Sequence, residues 1–383
     1  MGLYRLSLTE FKFHPVNQNN IIRFNNANRQ FYQTVKRRVD EYFKERNLSK
    51  FGNYKMVLKT IAMFVIFLGP YALLMSNVFT NGYAQIGLWI LMGVGMSGVG
   101  LSVMHDANHG SYSKNHKINK LMSFSMTLIG GSSLNWQLQH NNLHHTFTNI
   151  EGHDEDIAPL GFLRFSPHSQ YKKIHRFQFL YAWFFYGLMT LMWAFTKDFS
   201  QLIRYNKMGL LKGHNTTFKS ELIKLSIHKV IYLGYNLALP LIFIHAAWWQ
   251  IALGFGAMHF TCGLILALIF QPAHVVEMTE FPTPVSPESL TMEDDWASHQ
   301  MKTTANFAQK NVVLSWFVGG LNYQIEHHLF PNICHVHYKK IAPIIKETAK
   351  EFNLPYHSKS TFIGAVISHA KVLYQLGRQP QMA

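Results

Sequence analysis

The stretch IGLWILMGVGMSGVGLSVMHDANH, residues 86–109, joins an uncharged apolar run to two histidines. Its first part, residues 86–104, has the roughly 20-residue apolar length that crosses a bilayer as a helix. His105 and His109 stand at i and i+4, so one helix face presents both where the run meets water. Three further stretches share this length and character: residues 56–75, 230–247 and 251–270. The four pair into two hairpins. Lys59 is the one charge among them, and its place near the start of the first stretch predicts that it snorkels to the interface.

Composition agrees with a membrane protein. Hydrophobic residues make up 48% of the 383 and charged residues 14%, against roughly 25% charged in soluble domains. Lys and Arg number 35 against 20 Asp and Glu. Such an excess suits nucleic acid, an anionic lipid surface or a phosphorylated substrate alike, but no nucleic-acid motif accompanies it. Cys262 and Cys334 form no CxxC pair, which indicates neither a disulfide framework nor a thiolate metal site and fits a reducing cytosolic face. The opening MGLYRLSLTEFKF has no signal-peptide core, and Leu6 breaks the myristoylation pattern, so attachment is expected from the body of the chain.

Charge distribution orients the hairpins. The linkers SNVFTNGYAQ and WWQ are uncharged, whereas Lys36, Arg37, Arg38, Lys114, Lys117, Lys172, Lys173, Lys212 and Lys229 lie outside the hairpins. The positive-inside rule then places both termini and the long middle segment in the cytoplasm. Residues 177–195, FQFLYAWFFYGLMTLMWAF, are rich in Trp and Tyr and are expected to lie in the interface. One more crossing there would put the histidine clusters on opposite sides of the membrane. Residues 121–134 are short and glycine-broken and are not read as a span. Phe31, Val35 and Val39 beside Lys36, Arg37, Arg38 and Lys44 predict a basic amphipathic helix, either on the membrane surface or simply solvated. FPTPVSP, residues 281–287, reads as a proline-broken connector, and helices are expected over 338–352 and 361–376. The expected architecture is an all-α integral membrane fold: four transmembrane helices in two hairpins, with a cytoplasmic helical cap holding a histidine-rich di-metal site. Residues 1–53 form its amphipathic N-terminal segment, 54–338 its membrane domain and 339–383 its C-terminal cytoplasmic helices.

Seven of the 22 histidines fall in three clusters: HDANH at 105–109, HNNLHH at 140–145 and QIEHH at 324–328. Imidazole nitrogens bind mid-to-late first-row metals. His140 and His144 stand four apart, while Gln324, His327 and His328 stand at i, i+3 and i+4. His145 is turned roughly 100° from His144 on a helix, so the two could serve different metals. His274, at the cytoplasmic end of the fourth stretch, is a further candidate ligand, against the ordinary reading of a helix-end histidine as a cap. Asp106 and Glu326 are candidates to orient imidazoles through the second ring nitrogen. For Asp154 and Asp156 a solvated face is the plainer reading. His259 lies about 22 Å along the helix from His274 and is expected to make an interhelical hydrogen bond. His153, His245, His335 and His337 lack ligand spacing, and His299 is held in reserve. Trp136 could line a tunnel to the clusters or anchor at the interface.

On these clusters, and on HNNLHHTFTNIEGHDEDI and NYQIEHHLFPNICHVHY, the chain resembles the membrane fatty-acid desaturases over residues 54–338. The glutamine-headed third cluster resembles that of the front-end desaturases. The resemblance implies two iron ions held by His105, His109, His140, His144, His145, His274, Gln324, His327 and His328, with oxygen as co-substrate and a fatty acyl-CoA or acyl-lipid as substrate. The second cluster has three residues before its histidine pair where many relatives have two. Many front-end enzymes carry a fused cytochrome b5 domain marked by HPGG, but only His14 and Pro15 stand here, so a separate donor of cytochrome b5 or ferredoxin type is expected. The implied setting is a bacterial cell membrane.

An acyl carbon–hydrogen bond far from any activating group needs a strong oxidant. A hydroxylase with the same centre is the nearest alternative, and a histidine-lined metal transporter the alternative of another class. The transporter predicts ionisable residues along the spans, where only His259 lies deep. GVGMSG, residues 93–98, matches a dinucleotide fingerprint but sits inside a span, where close helix packing explains it better. Neither GxSxG nor HExxH occurs.

Overall fold

The computed structural model describes residues 22–26, 29–159, 161–286 and 290–382. The opening stretch, His14, Pro15 and Pro287 of the connector lie outside them. Among the described residues, four helices are long and apolar enough to cross a membrane: Tyr54–Met75, Gly82–Asn108, Phe218–Phe243 and Trp248–His274. Asparagines start the first two, since Asn53 accepts from the Lys55 N–H and Asn81 from those of Tyr83 and Ala84. The first, second and fourth spans pack closely through the glycines of GVGMSG. A Cβ on Gly95 would lie 2.3 Å from the Phe67 nitrogen, and one on Gly93 2.4 Å from the Met258 carbonyl oxygen. The motif is a packing surface.

The two hairpin turns lie side by side. Asn77 donates to the Phe243 carbonyl at 2.8 Å and accepts from the His245 N–H at 2.7 Å. The histidine clusters gather at the opposite end of the bundle.

Three placements differ from expectation. The third span begins at Phe218, twelve residues before the apolar run, because Thr217 caps it there. Lys229 therefore lies within it, buried, donating to Asp198 and to the carbonyls of Gly130 and Trp193. It is an internal tie and not a loop charge. Residues 177–195 belong to a bent pair, Lys173–Gly187 and Met189–Lys207, meeting at 51°. The pair packs on the fourth span, where Thr190 Oγ1 donates to the His259 carbonyl at 2.9 Å. It enters the helix layer instead of lying flat on it. Because His144 and His274 still meet, it adds no net crossing between them. Third, the amphipathic helix Gln30–Glu45 turns its apolar face inward: Phe31, Val35, Val39 and Phe43 pack with Ile341, Ile345 and Ala349. Arg38 pairs with Glu351 beside this contact. Protein, not lipid, covers that face.

Residues 121–134 are short broken turns around Gly130, whose φ is +86°. The C-terminal helices run Tyr338–Glu351 and Phe362–Leu376. The second of these packs on the fourth span and the bent pair, with the Tyr186 hydroxyl 2.7 Å from His369 Nε2.

Candidate metal centre

Each cluster sits on a local irregularity that aims it. The second span passes through a π-helical segment, Val99–Met104, before the turn His105–Asn108. The second cluster lies on another, Gln137–His144, in which the His145 N–H reaches the His140 carbonyl. Such i→i+5 winding is frequent at functional sites. Here it brings residues five apart together, with His140 Nε2 and His145 Nε2 at 3.2 Å. The extra residue in HNNLHH is thereby absorbed. The third cluster rides on Gln324–Leu329, after Gly319 and Gly320 in left-handed conformation. A Cβ on Gly319 would meet the Leu101 carbonyl at 2.5 Å, so only glycine lets this loop press against the second span.

Eight imidazoles converge. Nitrogens of His105, His109, His140 and His327 lie within 4.8 Å of one another; those of His144, His274 and His328 form a second group, and His145 joins the two through His327 and His328. Gln324 is buried beside His274. Among the described residues, His105 on both nitrogens, and Nε2 of His109, His274 and His328, are buried without a hydrogen-bond partner, as is Nε2 of Gln324. His145 Nε2 faces His327 Nε2 at 2.9 Å. Buried, unpartnered and mutually facing nitrogens are costly in a bare protein, while a pair of cations would satisfy them. Burial, reinforced by neighbouring imidazoles, holds His140, His145, His327 and His328 well below the usual histidine range, keeping them in the neutral form that ligates a metal. The donor set therefore fits two metal ions.

Outer partners fix several rings. His144 Nδ1 lies 3.0 Å from Asp154, which also accepts from the N–H groups of Asn149 and Asp156. Burial opposes a charge on His144, but Asp154 and Asp156 outweigh it and raise the ring to about 9. Asp154 is thus fully buried and bonded to an imidazole, where a solvated face was the plainer reading. His328 Nδ1 meets Gln300 Oε1 at 2.8 Å, His327 Nδ1 the Tyr338 hydroxyl at 3.2 Å and His274 Nδ1 the Thr303 carbonyl at 3.3 Å.

The two candidate orienting acids part ways. Asp106 accepts from His335 Nδ1 at 2.8 Å. Glu326 is corrected: it bonds no imidazole, accepting instead from Tyr356 at 2.5 Å and Asn306 at 2.9 Å. Burial pushes its carboxyl up to about 7. Lys59 is corrected too. It does not snorkel; it is buried, with Nζ 2.6 Å from His335 Nε2. His299 stays outside both groups, its Nε2 on the Thr148 carbonyl at 2.8 Å. His259 bonds Tyr232 and Thr190 across helices at 2.8 and 3.1 Å, so neither ring nitrogen is left to line a transport path. Trp136 is buried against the cage, 4.4 Å from His140 between ring centroids and edge-on to His105 and His109. A cavity of about 710 Å³ adjoins His109, with Asn108, Gln137, Phe124 and Leu225 among its walls and Lys120 and Lys224 on its lining.

A membrane-embedded helical bundle closed at one end by a histidine cage suited to two metals defines a class of membrane protein. The chain belongs within it to the fatty acid desaturase family, whose model matches residues 81–360. It is 37% identical to an sn-1 linoleoyl-lipid 6-desaturase of Synechocystis sp. over 91% of this chain and 96% of that one. It is 34% identical to an sn-1 linoleoyl-lipid 6-desaturase of Arthrospira platensis over 92% of this chain and 94% of that one. An acyl-lipid (8-3)-desaturase of Physcomitrium patens is 35% identical over 91% of this chain and 72% of its own length. The chain is an enzyme that desaturates fatty acyl groups.

Proposed function

We propose that the chain uses oxygen to insert a double bond into a linoleoyl or similar long-chain acyl group carried on a membrane lipid, at two iron ions held by the histidine cage. The convergence of buried, unpartnered imidazole nitrogens into two adjoining groups carries this reading. His105, His109, His140 and His327 would hold one ion and His144, His274, His328 and Gln324 the other, with His145 between. When bound, iron supplies the oxidising power that unactivated carbon–hydrogen bonds require and side chains lack.

The protein's own residues hold and shield. Asp154, Gln300 and Tyr338 keep Nδ1 of His144, His328 and His327 engaged, which leaves Nε2 of each ring to face inward. Trp136 and the buried rings exclude water from the first group. The cavity beside His109 is the approach for the acyl chain, and Lys120 and Lys224 suit an anionic headgroup. The lipid-linked substrate is supported by two relatives matched along nearly their whole length. Electrons come from a separate protein of cytochrome b5 or ferredoxin type, and the cage faces the cytoplasm of a bacterial cell, as the uncharged turns at the far end support.

The test is expression in a host with a compatible donor, followed by lipid analysis. A new double bond in linoleoyl chains is expected, and His144→Ala should abolish it. Hydroxylated chains, or purified protein without iron, would overturn the reading.

A further inference from the structure

Lys59 is the one buried charged side chain in the first span, 4% exposed, whereas Lys55 stands exposed at the start of the helix. An ammonium buried within an apolar span is costly, and such residues mark function by default. Lys59 Nζ lies 2.6 Å from His335 Nε2. An ammonium only donates, so this nitrogen accepts and the His335 proton sits on Nδ1. From there it is given to Asp106 Oδ2 at 2.8 Å, and the His335 backbone N–H reaches the same oxygen at 3.2 Å. The other carboxylate oxygen, Oδ1, stands 3.6 Å from His105 Nδ1. That ring nitrogen has no hydrogen bond of its own. The series joins the first span, the loop after the third cluster and the turn carrying the first.

We propose that Lys59 is a positioning residue for the first metal group. By donating to His335 it sets which ring nitrogen faces Asp106. The carboxylate, held by Oδ2, then aims Oδ1 at His105 Nδ1 and leaves His105 Nε2 toward His109, His140 and His327. A methionine would fill the same space in the span but could not direct His335. The inference rests on the two-metal reading above.

The test uses the full chain in detergent, loaded with cobalt(II), whose d–d absorption reports ligand geometry. The wild type should take up two ions; fewer would overturn the two-metal reading and this inference with it. For Lys59→Met, the first-group ion should bind about tenfold or more weakly, the range for a lost outer hydrogen-bond partner, with shifted bands, while the second ion is retained. Wild-type uptake of two ions with an unchanged spectrum would overturn the role of Lys59 alone. Should Lys59→Met fail to accumulate in the membrane, the double variant Lys59→Met/Asp106→Asn removes both buried charges. First-group binding weakened in it to the level of Asp106→Asn alone supports positioning through Asp106, whereas wild-type binding shows that Lys59 only neutralised Asp106. If neither variant accumulates while His144→Ala does, Lys59 serves folding and the inference fails.

Discussion

Around the second metal group each imidazole has a fixed outer partner: His144 has Asp154, His328 has Gln300 and His274 has the Thr303 carbonyl. Around the first, His327 has the Tyr338 hydroxyl, but Asp106 stands 3.6 Å from His105 Nδ1, beyond a hydrogen bond, and His105, His109 and His140 are set mainly by packing on Trp136. A hydrogen bond from Nδ1 fixes the rotation of a ring about its bond to Cβ, whereas ring-on-ring contact fixes position and leaves rotation softer. The second group is therefore oriented before any metal arrives. The first relies on contacts that can slide.

The strongest way to break this contrast is Asp154→Asn. Asp154 accepts from three donors, His144 Nδ1 and two backbone N–H groups. Asparagine has one acceptor oxygen, so at least one buried donor would face an NH2 group. Metal affinity at the second group should fall about 10–100-fold while the first is spared. Equilibrium loading with cobalt, read per site, checks this; equal loss at both groups would show that the two are one cooperative unit.

Trp136→Leu sharpens the contrast from the other side, with a smaller effect. It removes the surface on which three first-group rings rest but breaks no hydrogen bond to them. First-group affinity should fall by less than about tenfold, below the range for lost outer hydrogen-bond partners, and the second group should hold its metal. A larger loss at the second group in the same titration would refute the assignment of Trp136.

The same division marks what could be read from the chain. Cluster spacing is local: residues three or four apart on a helix share a face, so the ligand candidates stand out before any fold is known. Their partners are not local. Lys59 and His335 are 276 residues apart in sequence, and nothing near either announces the other. Asp154 reaches His144 because Asn149, at φ +60°, reverses the chain between them, and that turn has no helical period to read. The start of the third span was hidden because Lys219, Glu221, Lys224 and Lys229 interrupt its apolar run. The partner of Lys229, Asp198, lies on the second helix of the bent pair, 31 residues away in sequence.

Glu326 shows the opposite error, a neighbour in sequence that is not a neighbour in space. It precedes His327, but successive residues on a helix diverge by roughly 100°. Its carboxyl points at Asn306 and Tyr356 while His327 faces the cage. Glu326→Gln should therefore be the mildest of these changes. Glutamine can still accept from Asn306, but its NH2 group would face the Tyr356 hydroxyl, which also receives Asn306 and Gln309 and would have to turn its own proton elsewhere. The cost is about 1 kcal/mol of stability, one rearranged hydrogen bond, measured as a shift in denaturation of the detergent-solubilised protein. Both metals should bind as in the wild type. A tenfold loss at either group would mean that Glu326 does act on an imidazole, and the division between the two halves of the cage would have to be redrawn.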